Sequence, residues 1–248
     1  MDFFDRQWSS YRAIVEHNLM EHRQVADATA GAIEAWLGAR SPEATAPVMV
    51  DLGCGDLALL PPLLRRLPLQ RYTGLDLAAV VLPLARQALG PVPYRTEWIE
   101  GDLLAWAQAT DGAPLAAGSG PGSGAADRTD LLHSAYAIHH LDDDAKLTFL
   151  KAARHRINDN GLFLRVDVFR RPGEERHAYV ERYAERVERH WQALSDEQRQ
   201  HVIDHLSSFD IPADREAIAR AAESAGWRWQ WCWQGAHEAE ALAVLTPA

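Results

Sequence analysis

Few cysteines and no long apolar run distinguish this chain of 248 residues. Its two cysteines, Cys54 and Cys232, lie far apart and neither belongs to a C-x-x-C pair. This spacing argues against a disulfide framework and against a structural zinc site. Because a chain with so few thiols is typical of a reducing compartment, we expect a cytoplasmic protein.

Signals for membranes, secretion and nucleic acids are also missing. No stretch approaches the roughly 20 continuous apolar residues that a membrane helix needs, and the first residues lack the basic-then-apolar order of a signal peptide. The formal net charge of −10 repels polyphosphate, and no concentrated basic patch offsets it. We therefore expect no membrane and no nucleic-acid partner.

Short apolar runs alternate with amphipathic stretches in the first half of the chain. Runs at 48–52, 71–76 and 94–102 predict strands, and the stretches near 57–67 and 77–89 predict helices. This βαβαβ order is typical of a Rossmann-like fold with parallel strands.

The alternation continues after an interruption at 110–128. That stretch is rich in Gly, Ala, Ser and Pro, and we predict a flexible loop inserted into one domain. Beyond it, strands are predicted at 129–137 and 162–169, with a helix at 142–157 between them. The domain therefore extends across the loop.

Helical patterns flank this core on both sides. Residues 3–38 predict one or two helices, and 172–206 predicts a charged helical segment whose apolar stripe must pack on another part of the protein. A helix at 215–225 is followed by apolar runs at 227–233 and 241–246, which predict an antiparallel terminal hairpin.

Together these elements predict an α/β fold. We expect a Rossmann-like, seven-stranded, mostly parallel sheet with helices on both faces, an antiparallel terminal hairpin and a helical lid. The expected divisions are an N-terminal helical lid at 1–46, an α/β core at 47–170, a helical insertion or lid at 171–206, and the C-terminal part of the core with the hairpin at 207–248.

Acidic and glycine residues gather where the predicted strands end. Asp51-Leu-Gly53-Cys-Gly55 follows the first strand, Asp76 and Asp102 end the second and third, and Tyr136-Ala-Ile-His139-His140-Leu141 follows the fourth. Ligands of open parallel sheets bind beyond these strand ends, so the four motifs predict one crevice. The glycines let the backbone bend sharply and approach a ligand, and Asp76 has the spacing of a carboxylate that binds ribose hydroxyls.

These motifs resemble those of class I S-adenosylmethionine (SAM)-dependent methyltransferases of the small-molecule branch, over residues 47–170 and more weakly over 207–246. The resemblance implies an enzyme that transfers the methyl group of SAM to a small molecule, on oxygen or nitrogen. It implies that Asp51 lies near the amino-acid end of SAM, and Asp102 near the adenine. The implied cofactor residues are Asp51, Gly53, Cys54, Gly55, Asp76, Leu77, Asp102, Leu103, Ser134 and Ala135. One departure is Leu57, where the family often has a third glycine.

Two other functions stay open at this point. The stretch from Gly53 to Ala58 also fits the nicotinamide fingerprint G-x-G-x-x-A, which indicates an NAD(P)-dependent oxidoreductase. Asp51 favours SAM, because its carboxylate would lie close to a dinucleotide's pyrophosphate but suits an ammonium group. A catalytically inactive, SAM-binding partner subunit is the third hypothesis.

Methyl transfer from a sulfonium requires orientation, exclusion of water and, for some acceptors, a base. His139 is the first candidate for that base, and His140 either shares the role or only binds the loop backbone. On the N-terminal helices, His22 is either satisfied in the core or contacts the substrate. Tyr11 either packs in the core or lies near the sulfonium. The candidate catalytic residues are thus His139, His140, His22 and Tyr11.

Two further patterns have simpler structural explanations. His201 and His205 have the helical spacing of metal ligands and Asp204 lies beside them, but the sequence places no further ligand, so we expect no metal. Four tryptophans alternate near the C-terminus, and we expect them in the core or in a homodimer contact. They are Trp227, Trp229, Trp231 and Trp233.

Overall fold

The computed structural model describes residues 3–109 and 128–248, with side chains described from residue 10 onward. The predicted loop at 110–128 lies, apart from its last residue, outside the described residues. Among the described residues, no helix combines the length and the apolar character that crossing a membrane requires.

One sheet forms the centre of the described structure. Its strands are β1 (Val48–Leu52), β2 (Arg71–Asp76), β3 (Arg95–Glu100), β4 (Thr129–Ala135), β5 (Ile157–Arg170), β6 (Ala213–Asp214), β7 (Trp227–Gln234) and β8 (Glu240–Pro247). Seven of them follow the order β3-β2-β1-β4-β5-β8-β7, and the short β6 pairs with β5. Strand β8 is antiparallel to both of its neighbours, and the other pairs are parallel. The predicted mostly parallel sheet with an antiparallel terminal hairpin is confirmed.

Helices cover both faces of this sheet. They are α1 (Phe3–Glu16), α2 (His22–Gly38), α3 (Pro61–Leu64), α4 (Leu82–Leu89), α5 (Leu103–Gln108), α6 (Asp143–Arg156), α7 (Arg176–His190), α8 (Asp196–Phe209) and α9 (Arg215–Ser224). Two short 3-10 turns span Ala79–Val81 and Ile138–His140.

The core follows from the two-residue period of the strands. Val50 and Leu132 pack on one face of the sheet with the aromatic ring of Phe163, whereas Met49 and Leu131 pack on the other face. Because helices bury both faces, the central strands place apolar residues on both sides of the sheet. The alternating tryptophans join this core: Trp227 is fully buried, and Trp229 and Trp231 pack against the same cluster.

The segment after β1 differs from the prediction. A helix was expected at 57–67, but α3 covers only Pro61–Leu64. Leu57 has a backbone φ of 57°, which is incompatible with a helix, and prolines occupy the first helical positions. Helix α5 and strand β6 were not predicted; α5 begins because the Asp102 carboxylate accepts a hydrogen bond from the amide of Ala105 at 2.7 Å.

Two helices form the predicted N-terminal segment. They separate where Asn18 and Glu21 adopt φ values of 56° and 55°. The side-chain oxygen of Asn18 accepts a hydrogen bond from the amide of Arg23 at 2.8 Å, and its amide group donates to Gln24 at 2.8 Å. Asn18 is therefore satisfied within the protein.

The lid consists of α1, α7 and α8, which bury a separate apolar cluster against the end of β5. A buried ion pair fastens it to β8: the Arg186 guanidinium donates to both oxygens of Glu240, at 2.7 and 2.9 Å. The Tyr183 hydroxyl donates to the same carboxylate at 2.7 Å. Arg186 also donates to the carbonyl of Leu19, so a single side chain connects α7, β8 and the end of α1.

Candidate functional site

A cavity of about 430 Å³ lies at the carboxyl ends of β1, β2, β3 and β4. We call it the first cavity. Nine of the ten residues predicted to bind a cofactor line it: Asp51, Gly53, Cys54, Gly55, Asp76, Leu77, Asp102, Leu103 and Ala135. Ser134 does not; its hydroxyl donates to the carbonyl of Leu52 at 2.9 Å and joins β4 to β1. The strand-end motifs therefore converge, as the parallel topology requires.

The turn after β1 needs glycine for a steric reason. Gly53 has a φ of 70°, and a Cβ atom there would lie 2.5 Å from the Cβ of Ala137. Its amide and that of Cys54 donate to the carbonyl of Leu75, at 2.8 and 3.0 Å. Leu57 has a left-handed φ of 57°, so the residue that replaces the family's third glycine carries backbone strain.

Asp76 joins two of the strand-end turns. One carboxylate oxygen accepts a hydrogen bond from the amide of Gly55 at 2.8 Å, and the other accepts from the amide of Ala78 at 2.9 Å. The side chain lies in the wall of the first cavity and is half-buried. It therefore orders the glycine turn while keeping part of its surface accessible to a ligand.

Asp51 is held by two neighbours. The Tyr72 hydroxyl donates to one carboxylate oxygen at 2.9 Å, and Nδ1 of His133 lies 2.6 Å from the other. Burial, together with the charge of Asp51, raises the pKa of Tyr72 well above its usual value. Since only 1% of Asp51 is exposed, its position is fixed by the protein before any ligand binds.

A second cavity of about 360 Å³ lies between the sheet edge and the lid. Tyr11, His22, Tyr136 and His140 line both cavities, so the two cavities adjoin at these four side chains, which we call the partition. Tyr136 adopts a φ of 53° directly after β4. Three of the four candidate catalytic residues thus stand in the partition, and the fourth, His139, lines the second cavity only.

The segment that carries the strand-end motifs matches a known protein family. Residues 50–163 match the family model described as "Methyltransferase domain". Residues 50–163 are a methyltransferase domain. Methyltransferases of this family use SAM as their cofactor.

Three similar proteins place this methyltransferase domain among its relatives. The chain is 45% identical over 71 residues to "Trans-aconitate 2-methyltransferase" of Azoarcus sp. (strain BH72), a match that covers 29% of this chain and only 26% of that protein. "DhpI-SAH complex structure" superposes with a TM-score of 0.55 at 17% identity, covering 98% of this chain and 96% of that chain. "The structure of LepI complex with SAM" gives 0.54 at 17%, covering 87% and 46%. At such identities the two structures show the fold alone.

In the methyltransferase domain, His139 lies between two carboxylates. Its Nδ1 is 2.6 Å from Asp167, and its Nε2 is 3.5 Å from Asp210. Asp167 is in turn paired with the guanidinium of Arg165 at 3.0 Å. Burial alone would lower the pKa of His139, but the two carboxylates outweigh it and raise the pKa to about 9. His139 therefore holds a proton at neutral pH.

The two histidines of the partition, His22 and His140, are neutral at pH 7, unlike His139. Burial, reinforced by the positive charge of His139, lowers the pKa of His140 to about 4. Burial lowers the pKa of His22 to about 4 as well. Both imidazoles are thus neutral at pH 7. Nδ1 of His22 is buried and has no hydrogen-bond partner among the described residues, and Nδ1 of His140 lies 3.6 Å from Asp210.

His139, His140 and Asp210 are also the described group whose geometry comes nearest to a metal site, with donor atoms within 4.8 Å of one another. The proton on His139 competes with a metal for this group, because a ligating imidazole must be neutral. We therefore describe it as an ion-pair cluster. His205 joins it at 3.3 Å from Asp210, whereas Asp204 accepts a hydrogen bond from Gln200 instead.

Sequence reasoning missed several residues of the second cavity and its support. Asp167 left a signal, because Arg165 and Asp167 are ionisable residues inside the otherwise apolar stretch 162–169 and such groups need partners. Tyr136 belongs to the motif after β4, but the motif indicates no role for it. Asp210 and Tyr179 left no signal, since only the folded lid brings them to the cavity.

Proposed function

We propose that this protein transfers the methyl group of SAM to a small-molecule acceptor, on oxygen or nitrogen. The observation that carries the proposal is the pair of adjoining cavities. One lies on the strand-end motifs, the other lies under the lid, and they adjoin at Tyr11, His22, Tyr136 and His140. A cofactor and an acceptor that meet where the two cavities adjoin would be held close together, which is the main requirement of a displacement reaction.

The residues that line the first cavity are of the kinds that SAM requires, with carboxylates at three strand ends and a glycine turn. A Cβ on Gly53 would collide with Ala137, so glycine lets the turn after β1 pack directly against the turn after β4 at the cavity. We propose that the carboxylate of Asp76 binds the ribose hydroxyls, that Asp51 faces the amino-acid end, and that Asp102 with Leu103 contacts the adenine. When bound, SAM supplies a methyl group activated by its positive sulfur.

We propose that at neutral pH His140, and not His139, is the base that removes a proton from the acceptor. His140 is neutral and lies in the partition, whereas His139 already carries a proton between Asp167 and Asp210. Asp210, 3.6 Å from its Nδ1, offsets part of the cost of the charge that His140 would gain. His139, whose ring centroid is 4.1 Å from that of His140, is then a positioning residue. With His140 as base, kcat stays flat from pH 6 to 8, whereas with His139 as base it rises toward pH 9.

Calorimetry with S-adenosylhomocysteine (SAH), and separately with NADH, is the first test of the proposal. We expect SAH to bind and NADH not to bind; the reverse result would establish the oxidoreductase alternative. The second test follows mass-labelled methyl from SAM into a panel of hydroxylated and amino-substituted acceptors. SAH binding without transfer to any acceptor would favour a SAM-binding protein without methyltransferase activity.

We also propose a cytoplasmic location and a homodimer, neither of which the sites described above require. Light scattering on the purified protein tests the dimer directly. A mass of one chain at micromolar concentration would exclude it.

A further inference from the structure

We infer that the second cavity selects an uncharged, largely apolar ring compound with one or two hydrogen-bonding groups, and that it rejects polycarboxylates. This inference rests on the proposed function, because it names the class of acceptor for the same site. It also separates this chain from the relative named for trans-aconitate, whose match covers only 26% of that protein.

The walls of the second cavity are mainly aromatic and aliphatic. The lid contributes Tyr179, Tyr183 and Trp191, whose rings form a continuous series with centroid separations of 5.6 and 5.9 Å. Val202 and Leu206 of α8 complete that side. Aromatic rings pack best against other rings in offset or edge-to-face contacts. Walls of this kind therefore stabilise a ring compound through buried apolar area.

The charges around the cavity disfavour an anionic acceptor. Among its lining residues whose side chains are described, none is a lysine or an arginine. The nearby guanidiniums are committed elsewhere, Arg186 to Glu240 and Arg165 to Asp167. The positive charge of His139 is already shared by two carboxylates. A polycarboxylate would lose its hydration without gaining an unshared cation, which is unfavourable in a buried site.

Polar groups also line the cavity, namely the ion-pair cluster of His139, His140, His205 and Asp210, together with Ser10 and His201. Two further buried polar atoms have no hydrogen-bond partner in the described chain. The Tyr179 hydroxyl is buried at the cavity wall and has no hydrogen-bond partner in the described chain. Nδ1 of His22, in the partition, also lacks one. The hydroxyl of Tyr183, by contrast, is taken by Glu240. Because unsatisfied buried polar groups are costly, a ligand that reaches one or both of them is favoured.

A binding panel on the SAH-loaded protein tests this selection. The probes are 6-hydroxyquinoline, quinoline without the hydroxyl, and the tricarboxylate tricarballylate, each titrated by calorimetry at pH 7. We expect 6-hydroxyquinoline to bind at least tenfold more tightly than tricarballylate. We also expect quinoline to bind more weakly than its hydroxylated form.

Two matched variants examine the hydroxyl contact. Tyr179→Phe should remove most of the preference for 6-hydroxyquinoline over quinoline, about a fivefold loss. Tyr183→Phe is the control, because it makes the same change in the same wall but removes a hydroxyl that already has a partner; it should leave the preference intact.

A Val202→Arg variant should raise the affinity for tricarballylate at least tenfold, because it adds a cation to the wall.

The outcomes separate this inference from the proposed function. Tighter binding of tricarballylate than of 6-hydroxyquinoline by the unmodified protein, with SAH affinity intact, would overturn the inference and leave the proposed function standing. Equal preference losses in Tyr179→Phe and Tyr183→Phe would overturn the assigned contact. Failure to bind SAH at all would overturn the proposed function, and the inference with it.

Discussion

The two cavities of this protein are built in different ways. The first has its base on the ends of β1, β2, β3 and β4, and α1 and α2 cover it. Its key contacts are local turns such as that of Asp76 with Gly55. The second is assembled from helices at opposite ends of the chain, fastened by buried ion pairs such as Arg186 with Glu240. We therefore expect binding of the proposed cofactor to depend mainly on backbone geometry, and binding of the proposed acceptor to depend on the docking of the lid.

The largest expected effect is a loss of stability when the ion pair that fastens the lid is broken. Glu240→Gln leaves the buried guanidinium of Arg186 without its counter-charge, and we expect the free energy of unfolding to fall by about 3 to 5 kcal/mol. The control is Glu185→Gln, which removes an exposed partner of Arg189 on the same helix and should cost under about 0.5 kcal/mol. Urea denaturation of both variants measures the two values. Similar losses would show that the buried pair does not fasten the lid.

The ion pair of His139 should make stability depend on pH. Its pKa in the folded protein is about 9, above the ordinary value of about 6.5 in an unfolded chain. Its stabilising contribution is therefore complete below pH 6.5 and is lost as the pH rises through 9, a change of about 3 kcal/mol. Denaturation curves from pH 6.5 to 9.5 should show this decline, and His139→Gln should abolish it. An unchanged slope in the variant would assign the decline to other groups.

Asp76→Ala should separate cofactor binding from lid stability. The change removes the carboxylate proposed for the ribose and frees the amide of Gly55, so we expect SAH affinity to fall about hundredfold. Asp76→Asn, which keeps one acceptor oxygen, should lose less. Calorimetry gives both affinities, and thermal melting confirms that the variants remain folded. Unchanged affinity in the alanine variant would remove Asp76 from the cofactor site.

The smallest expected effect concerns the turn after β1. Gly53→Ala places a Cβ 2.5 Å from that of Ala137, and we expect a loss of about 1 to 3 kcal/mol beyond the backbone strain itself. Gly173→Ala measures the cost of the backbone strain alone, since Gly173 has a φ of 72° and open space around it. The difference in melting temperature between the variants, about 2 to 4 °C per kcal/mol, isolates the contact. Equal melting temperatures would mean that the turn adapts.

How far the sequence predicts this protein differs between the same two regions. The strand pattern and the residues at Asp51, Gly53 and Asp76 could be read directly, because parallel topology brings strand ends to one edge whatever the loops do. The second cavity could not be assembled in this way. Asp210 reaches His139 only through the docking of α8, and no local pattern encodes that contact. The helix predicted at 57–67 was wrong because Leu57 takes a left-handed conformation, which the apolar pattern does not reveal.

The shared partition has a thermodynamic consequence. Tyr11 and His22 come from the N-terminal helices and Tyr136 and His140 from the end of β4, so any shift of these side chains by one occupant is felt by the other. Linkage requires the influence to be mutual: the factor by which SAH changes the affinity for a ring compound must equal the factor by which that compound changes the affinity for SAH. Through these four side chains, occupancy of one cavity is expected to change the affinity of the other cavity for its ligand.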